Sequence, residues 1–149
     1  MEKPFRPCVV AVIRDAKGQV LAGERSDRPG AWQLPQGGID PGEEPEEALM
    51  RELQEEIGSD GLCIRSRSGD WIRYNFPETV NREMLQDFQG QQQIWFLLEF
   101  LPGKGPDLSL SDGEFRDVRW MKPQELIEGI VEWKREAYRL GFAALGLLN

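Results

Sequence analysis

The sequence predicts an α/β fold, because β-branched segments alternate with one strongly periodic helix and further helical segments follow near the C-terminal end. With 149 residues, 40% of them apolar, the chain is long enough to bury the core of one domain. We therefore expect residues 1–149 to form a single domain.

Several short segments have the composition of strands. Residues 8–13 and 19–23 flank a turn at residues 15–18, which predicts a β-hairpin. Residues 25–42 are rich in glycine, proline and other turn-forming residues and predict a functional loop. Further strands are predicted at residues 63–67, 71–76, 92–100 and 118–121, and two short helices at residues 123–128 and 131–140.

The main helix has a clear start, a buried stripe and a clear end. Pro45 suits the first turn of a helix, where its missing N–H costs nothing. Leu49, Leu53 and Ile57 then recur every four residues, until Gly58 supplies a stop. The spacing predicts a helix from Pro45 to Ile57 with one buried face.

Three glutamates lie beside that buried face. At about 100° per residue, Glu52, Glu55 and Glu56 fall within an arc of roughly 100°. Carboxylates so close repel one another, and a bound cation would relieve the repulsion. Because only oxygen ligands are available, the cluster points to Mg²⁺, with Mn²⁺ as a substitute. The alternative for any acidic run is a solvated helix face.

Composition excludes several classes of protein. The chain has no histidine, so Ser-His-Asp triads and His-based zinc sites are absent. Its formal charge is −8, with eight acidic residues and one basic residue in residues 40–56. That balance argues against extended binding along a nucleic acid, which needs many Lys and Arg contacts. We expect a soluble, cytoplasmic protein without a membrane span.

The acidic segment resembles the signature of the Nudix hydrolases. It reads Gly37, five residues, Glu43, seven residues, and then RELQEEIG at residues 51–58. Residues 37–59 thus form the Nudix box, and Ser59 is the one departure, since the family usually has an apolar residue there. The resemblance implies the Nudix fold, an α/β/α sandwich with a mixed central sheet and a catalytic loop-helix-loop.

The same resemblance implies roles for the box residues. Glu52, Glu55 and Glu56 would hold Mg²⁺ ions that bridge a diphosphate, while Arg51 orients the glutamates through a salt bridge. Glu114, outside the box, matches a glutamate that reaches the metals from a loop. Water attacks phosphorus in this family, and the catalytic base is expected to be Glu52 or Glu55.

The flanks resemble one branch of the family, which contains the bacterial RNA pyrophosphohydrolases and the asymmetrical dinucleoside tetraphosphate hydrolases. The matching segments are residues 5–7, 30–40, 71–74, 90–93, 95–98, 114–115 and 133–138. This resemblance implies one of two reactions. Pyrophosphate is removed from a 5′-triphosphate RNA end, or diadenosine tetraphosphate is split into ATP and AMP.

The branch also implies how the substrate is held. Arg6, Arg25 and Lys134 are expected to bind phosphate, since guanidinium and ammonium groups donate to its oxygens. Trp133 is expected to stack on a nucleobase, with Tyr74 as a weaker candidate for the same contact.

We expect the 5′-triphosphate end of RNA to be the substrate, ahead of diadenosine tetraphosphate, and other functions remain as alternatives. A nucleotide-sugar pyrophosphatase, a non-catalytic nucleotide sensor and an acidic protein-docking face are less favoured, because the flanks match and all box carboxylates are present. Ile94 stands where many relatives have a lysine, so we expect one positive charge fewer near the cleft. The expected partner is a nucleotide or the 5′ end of an RNA, and the expected state is a monomer.

Overall fold

The computed structural model describes residues 3–78 and 87–148, which fold into two β-sheets flanked by helices. The strands are β1 (Phe5–Ile13), β2 (Val20–Arg25), β3 (Trp32–Gln33), β4 (Gln36–Gly38), β5 (Leu62–Arg67), β6 (Ile72–Asn75), β7 (Gly90–Phe100) and β8 (Phe115–Met121). The helices are α1 (Pro45–Ile57), α2 (Pro123–Gly129) and α3 (Arg135–Ala144), with short 3-10 turns at Leu108–Leu110 and Glu132–Lys134.

The larger sheet is mixed, as the resemblance implied. Its strand order is β4-β1-β7-β5, and β6 also pairs with β7. β1 runs parallel to β7, whereas β4 is antiparallel to β1, and β5 and β6 are antiparallel to β7. The smaller sheet is antiparallel and has the order β3-β2-β8.

The prediction that residues 8–13 and 19–23 form a hairpin is wrong, because the turn between them forms but the two strands do not pair along their length. Gly18 takes a φ of 82° in that turn, and a single bridge joins Arg14 to Val20. The strands then separate into different sheets, because β4 and β7 occupy the two edges of β1. A strand buried on both faces is apolar at every position, which is the pattern of residues 8–13.

Helices cover both faces of the larger sheet. On one face, Val9, Ala11 and Ile13 pack with α1, and Ile94 is buried in the same cluster at 3% exposure. On the other face, Val10 and Val12 pack with α2 and α3. The sheet therefore lies between helical layers. Ile94 faces the core, and the expected lack of one positive charge near the cleft stays a prediction.

The main helix begins and ends where its sequence predicted. Pro45 is its first residue, and the N–H of Glu44 just before it donates to the Glu47 carboxylate at 3.1 Å. Gly58 ends it with a φ of 67°, donating its N–H to Gln54. The last helix differs more from its prediction. The sequence predicts it at residues 131–140, but a 3-10 turn occupies Glu132–Lys134, and the α-helix itself begins at Arg135 and continues to Ala144.

None of the helices in the described part of the chain is long and apolar enough to cross a membrane.

We expect Gly141→Ala to lower the free energy of unfolding by about 1–3 kcal/mol, because overpacking a tight core has costs of this size. A Cβ at Gly141 would lie 2.1 Å from the ring of Trp95, a fully buried side chain. Urea denaturation measures the change. Gly129→Ala, in α2, is the matched control, because its Cβ would meet nothing within 4 Å. Equal stability of the two variants would contradict the expectation.

Candidate active site

The three box glutamates differ sharply in exposure. The side chain of Glu55 is 44% exposed, that of Glu52 is 13% exposed, and Glu56 is fully buried. One carboxylate oxygen of Glu56 accepts the backbone N–H of Gln36 at 3.0 Å. The other, Oε2, has no hydrogen-bond partner. α1 therefore points an unsatisfied carboxylate oxygen into the protein.

Burial and neighbouring acids disfavour the charged form of these groups. Burial, together with the negative charges of Glu114, Glu52 and Asp112, raises the pKa of Glu56 to about 10. Burial also raises the pKa of Glu52 and of Glu114. The negative charges of these acids therefore repel one another, and a positive charge between them would stabilise their ionised forms.

Arg51 ties the loop before α1 to the glutamates of α1. Its guanidinium donates to both oxygens of Glu43, at 2.9 and 2.8 Å, and to the carbonyl of Gly38 at 2.9 Å. It also donates to Glu52 at 2.8 Å and lies 3.6 Å from Glu55. The hydrogen bonds from Arg51 lower the pKa of Glu43 to about 2. The sequence placed Glu43 in the box without a role; the structure makes it the main anchor of Arg51.

Glycine is required at positions 37 and 38 because other side chains approach the backbone closely there. A Cβ at Gly37 would lie 1.9 Å from the carboxyl carbon of Glu52, and one at Gly38 would lie 2.5 Å from the Arg6 guanidinium. Neither glycine has a positive φ. The absence of side chains at these two positions of β4 lets Glu52 and Arg6 lie directly against its backbone.

Glu114 joins the site from the segment before β8. Its carbonyl accepts the N–H of Ser26 at 2.9 Å, and the carbonyl of Gly113 accepts the Ser26 hydroxyl at 2.6 Å. The positive charge of Arg25 lowers the pKa of Glu114, opposing the effect of burial. These segments line a pocket of about 350 Å³ formed by Arg25, Ser26, Asp27, Asp112, Gly113 and Glu114.

Two of the basic residues predicted to bind phosphate influence the ionisation of Cys8. Burial raises the pKa of the Cys8 thiol to about 11, while Arg6 and Lys134 oppose this shift and Glu52 adds to it. The guanidinium of Arg6 also packs against Gly38. Arg6 therefore lies against the box backbone, and Arg6, Lys134 and Glu52 all influence the same buried thiol.

The third predicted phosphate ligand, Arg25, is held by Asp27 through hydrogen bonds of 2.8 and 2.7 Å. Burial, together with the positive charges of Arg25 and Arg28, lowers the pKa of Lys134 to about 8. Like charges facing one another favour binding of an anion between them. Arg28 was not singled out from the sequence, because an arginine in a polar loop has no distinguishing pattern.

The two predicted stacking residues are in contact with each other. The rings of Trp133 and Tyr74 lie 5.5 Å apart, and the Lys134 ammonium lies 5.2 Å from the Trp133 ring. Trp133 is partly buried. Only 9% of Tyr74 is exposed, too little for a nucleobase to stack on it. The structure makes Tyr74 a support for Trp133, which differs from the sequence-based expectation.

The acidic side chains do not form a closed cluster. Within residues 3–78 and 87–148, no three acidic or cysteine side chains are grouped closely enough to hold a metal ion. Glu52 is turned towards Arg51, which accounts for part of this spread. Glu56 with its unpartnered oxygen, Glu52, Glu55 and Glu114 nevertheless share one region of the fold.

Comparison with known proteins agrees with this architecture. The NUDIX domain profile matches residues 4–141. An RNA pyrophosphohydrolase of Wolbachia sp. subsp. Brugia malayi is 40% identical over 139 residues, covering 91% of this chain and 86% of that protein.

Solved structures share the fold at low sequence identity. The E. coli dihydroneopterin triphosphate pyrophosphohydrolase has a TM-score of 0.68 at 21% identity, covering 93% of this chain and 97% of that chain. A C. elegans Ap4A hydrolase has a TM-score of 0.66 at 21% identity, covering 95% and 97%. Since the profile spans most of the sequence and the bacterial relative aligns along nearly its whole length, the chain belongs to the NUDIX domain family.

Proposed function

We propose that this protein is a Mg²⁺-dependent Nudix pyrophosphohydrolase that removes pyrophosphate from the 5′-triphosphate end of RNA, acting as a single domain of residues 1–149 with its box at 37–59. The observation that carries the proposal is that acidic side chains suited to a cation and basic side chains suited to phosphate lie in one region of the fold. Glu56, with its unpartnered oxygen, lies among the negative charges of Glu52 and Glu114. Arg25 acts on Glu114, and Arg6 and Lys134 act on the same buried thiol, Cys8, as Glu52 does. The bacterial relative named RNA pyrophosphohydrolase supports the substrate.

The donor set fits a divalent cation, the class of cofactor that Nudix hydrolases generally use. Glu56 has a buried oxygen without a partner, and the other candidate ligands are carboxylates too, which suit Mg²⁺ or Mn²⁺. Glu52, Glu55, Glu56 and Glu114 would hold it. When bound, the cation neutralises phosphate oxygens and makes water more acidic.

The side chains of the protein would supply proton transfer, orientation and substrate binding. Glu52 or Glu55 would take the proton from the attacking water. Arg51 would fix the direction of the Glu52 carboxylate through their 2.8 Å hydrogen bond. Arg6, Arg25 and Lys134 would bind the phosphates, and Trp133 would stack on a base near the 5′ end.

A net charge of −8 suits an enzyme that grips only the end of its RNA, because long contacts with a phosphate backbone need many cations. The same property suits diadenosine tetraphosphate, the alternative substrate, since the flanking segments resemble both kinds of enzyme. A non-catalytic sensor is disfavoured because the box carboxylates are all present.

Lys134 should make phosphate binding sensitive to pH. Its pKa of about 8 means that the ammonium is charged below that pH and becomes neutral above it. Affinity for ATP in EDTA should therefore weaken as the pH rises through about 8. Calorimetry of the protein and of Lys134→Met measures the effect, and the variant should lack this step. Arg25, Arg28 and Cys8 face Lys134, and the arginines stay charged throughout. An identical pH profile for both proteins would contradict the prediction.

The function is tested by product analysis with Mg²⁺, offering equal concentrations of a short 5′-triphosphate RNA and diadenosine tetraphosphate. Release of pyrophosphate and 5′-monophosphate RNA at the higher kcat/KM supports the proposal. Faster formation of ATP and AMP would replace it with the alternative. No turnover of either would favour the sensor. As controls, Glu55→Gln should lower the observed activity by about two decades or more, and EDTA should abolish it.

A further inference from the structure

A buried carboxylate outside the box connects two parts of the site. Glu24, in β2, is only 8% exposed. Its oxygens accept the guanidinium of Arg116 at 2.8 and 3.2 Å and the backbone N–H of Gly30 at 2.8 Å. The hydrogen bonds from Arg116 and Gly30 lower the pKa of Glu24, so it is ionised at neutral pH. One ionised side chain thus holds partners from two separate segments.

Each partner belongs to a segment that carries a site residue. Gly30 lies near the end of the loop that starts after Arg25, and the N–H of Arg25 closes this loop on the carbonyl of Ala31 at 3.0 Å. Arg116 lies two residues after Glu114. Glu24 therefore fastens the loop of Arg25 to the strand that follows Glu114.

The pairing of β2 with β8 is irregular at this point. Glu24 pairs with Asp117, whereas Arg25 pairs with Phe115, and Arg116 is left between them. Such bulges redirect side chains and are common beside active sites. Here the bulge accompanies the contact of Arg116 with Glu24, one residue before Arg25.

Ser26 adds a second connection between the same segments. Its N–H and its hydroxyl donate to the carbonyls of Glu114 and Gly113. The Arg25 guanidinium is fixed within its loop by both oxygens of Asp27. A shift of the loop would therefore move Arg25 relative to Glu114.

We propose that Glu24 is a positioning residue, which holds the Arg25 loop and the Glu114 segment at a fixed separation so that a phosphate bound by Arg25 is aligned with the reacting site. This inference rests on the proposed function and adds a residue to it. The simpler alternative is an ion pair that only stabilises the small sheet.

Glu24→Gln keeps the shape of the side chain and removes its charge. We expect KM for 5′-triphosphate RNA to rise by about tenfold or more, because small displacements of binding groups are costly. The matched control is Glu99→Gln. Glu99 also accepts from two arginines, Arg65 at 2.9 Å and Arg14 at 3.4 Å, but it lies outside the site. Unchanged KM in Glu24→Gln, or an equal rise in Glu99→Gln, would overturn the inference.

A double-mutant cycle with Arg25→Ala separates positioning from general stability. If Glu24 acts through Arg25, the double variant should bind no more weakly than Arg25→Ala alone. Additive losses would favour the purely structural role. Should Glu24→Gln fail to fold, Arg116→Lys replaces it in the cycle, since lysine keeps the charge without the two-pronged contact.

Binding of inorganic triphosphate to the full chain in EDTA distinguishes failure of this inference from failure of the proposed function. Weaker binding by Glu24→Gln, in a protein that does not hydrolyse RNA, would support positioning and reject only the RNA substrate. RNA hydrolysis with normal triphosphate binding and KM in the variant would reject only the positioning. No triphosphate binding by the unsubstituted protein would overturn the inference.

Discussion

Glutamine in place of Glu52, Glu55 or Glu56 is expected to lower kcat by about two decades or more, with the fold intact. Glutamine has nearly the shape of glutamate but lacks its charge. At Glu56, the amide oxygen can still accept the N–H of Gln36, so the buried backbone group stays satisfied. The loss should therefore fall on cation binding and proton transfer, and leave packing unchanged.

Steady-state kinetics at saturating Mg²⁺ and thermal denaturation measure these two effects separately. Glu47→Gln is the matched control, because Glu47 is exposed on the first turns of the same helix, and its remaining amide oxygen can still accept the N–H of Glu44. It should keep nearly full activity. If all three site variants also stayed near normal, the chemistry would lie elsewhere in the protein.

Gly37→Ala is expected to lower kcat/KM by about a hundredfold, because a displacement of about 1 Å in a catalytic group has effects of this size. The added Cβ would lie within 2.3 Å of both carboxylate oxygens of Glu52. Glu52 cannot yield freely, since Arg51 holds it at 2.8 Å and Glu43 holds Arg51 in turn. The methyl group therefore disturbs the whole arrangement.

Kinetics of Gly37→Ala are compared with those of Gly105→Ala, where the new Cβ meets nothing within 4 Å. The backbone of Gly37 does not have a positive φ, so the conformation itself tolerates alanine. Stability should fall by no more than about 3 kcal/mol. Full activity in the Gly37 variant would mean that Glu52 works equally well from another position.

The main helix and its acidic face could be predicted because local rules decide them. Pro45 and Gly58 mark the ends of α1 through their own backbone preferences, and the apolar period of the helix sets which residues are buried. The angular positions of Glu52, Glu55 and Glu56 follow from that period. Their match to a family signature then predicted the fold before any contact was known.

Local rules do not predict contacts between residues that are far apart in the chain. The apolar run at residues 8–13 predicts a buried strand but does not indicate which strands pair with it. Its parallel neighbour is β7, whose paired residues are 85 positions away in the chain, as for Cys8 and Gln93. Tyr74 is buried by packing on Trp133 and Phe76, which no local pattern encodes. The pairing of Glu24 with Arg116 spans 92 positions.

The sequence by itself determined the box helix, its metal-binding chemistry as a prediction, and the family, because these depend on residue type and spacing along one segment. Only the tertiary structure decided which strand the buried face of the helix packs against, that Glu56 has an oxygen without a partner, and that Glu24 joins the Arg25 loop to β8. Burial and long-range pairing are properties of the assembled sheets, since each requires segments that are far apart in the chain to meet.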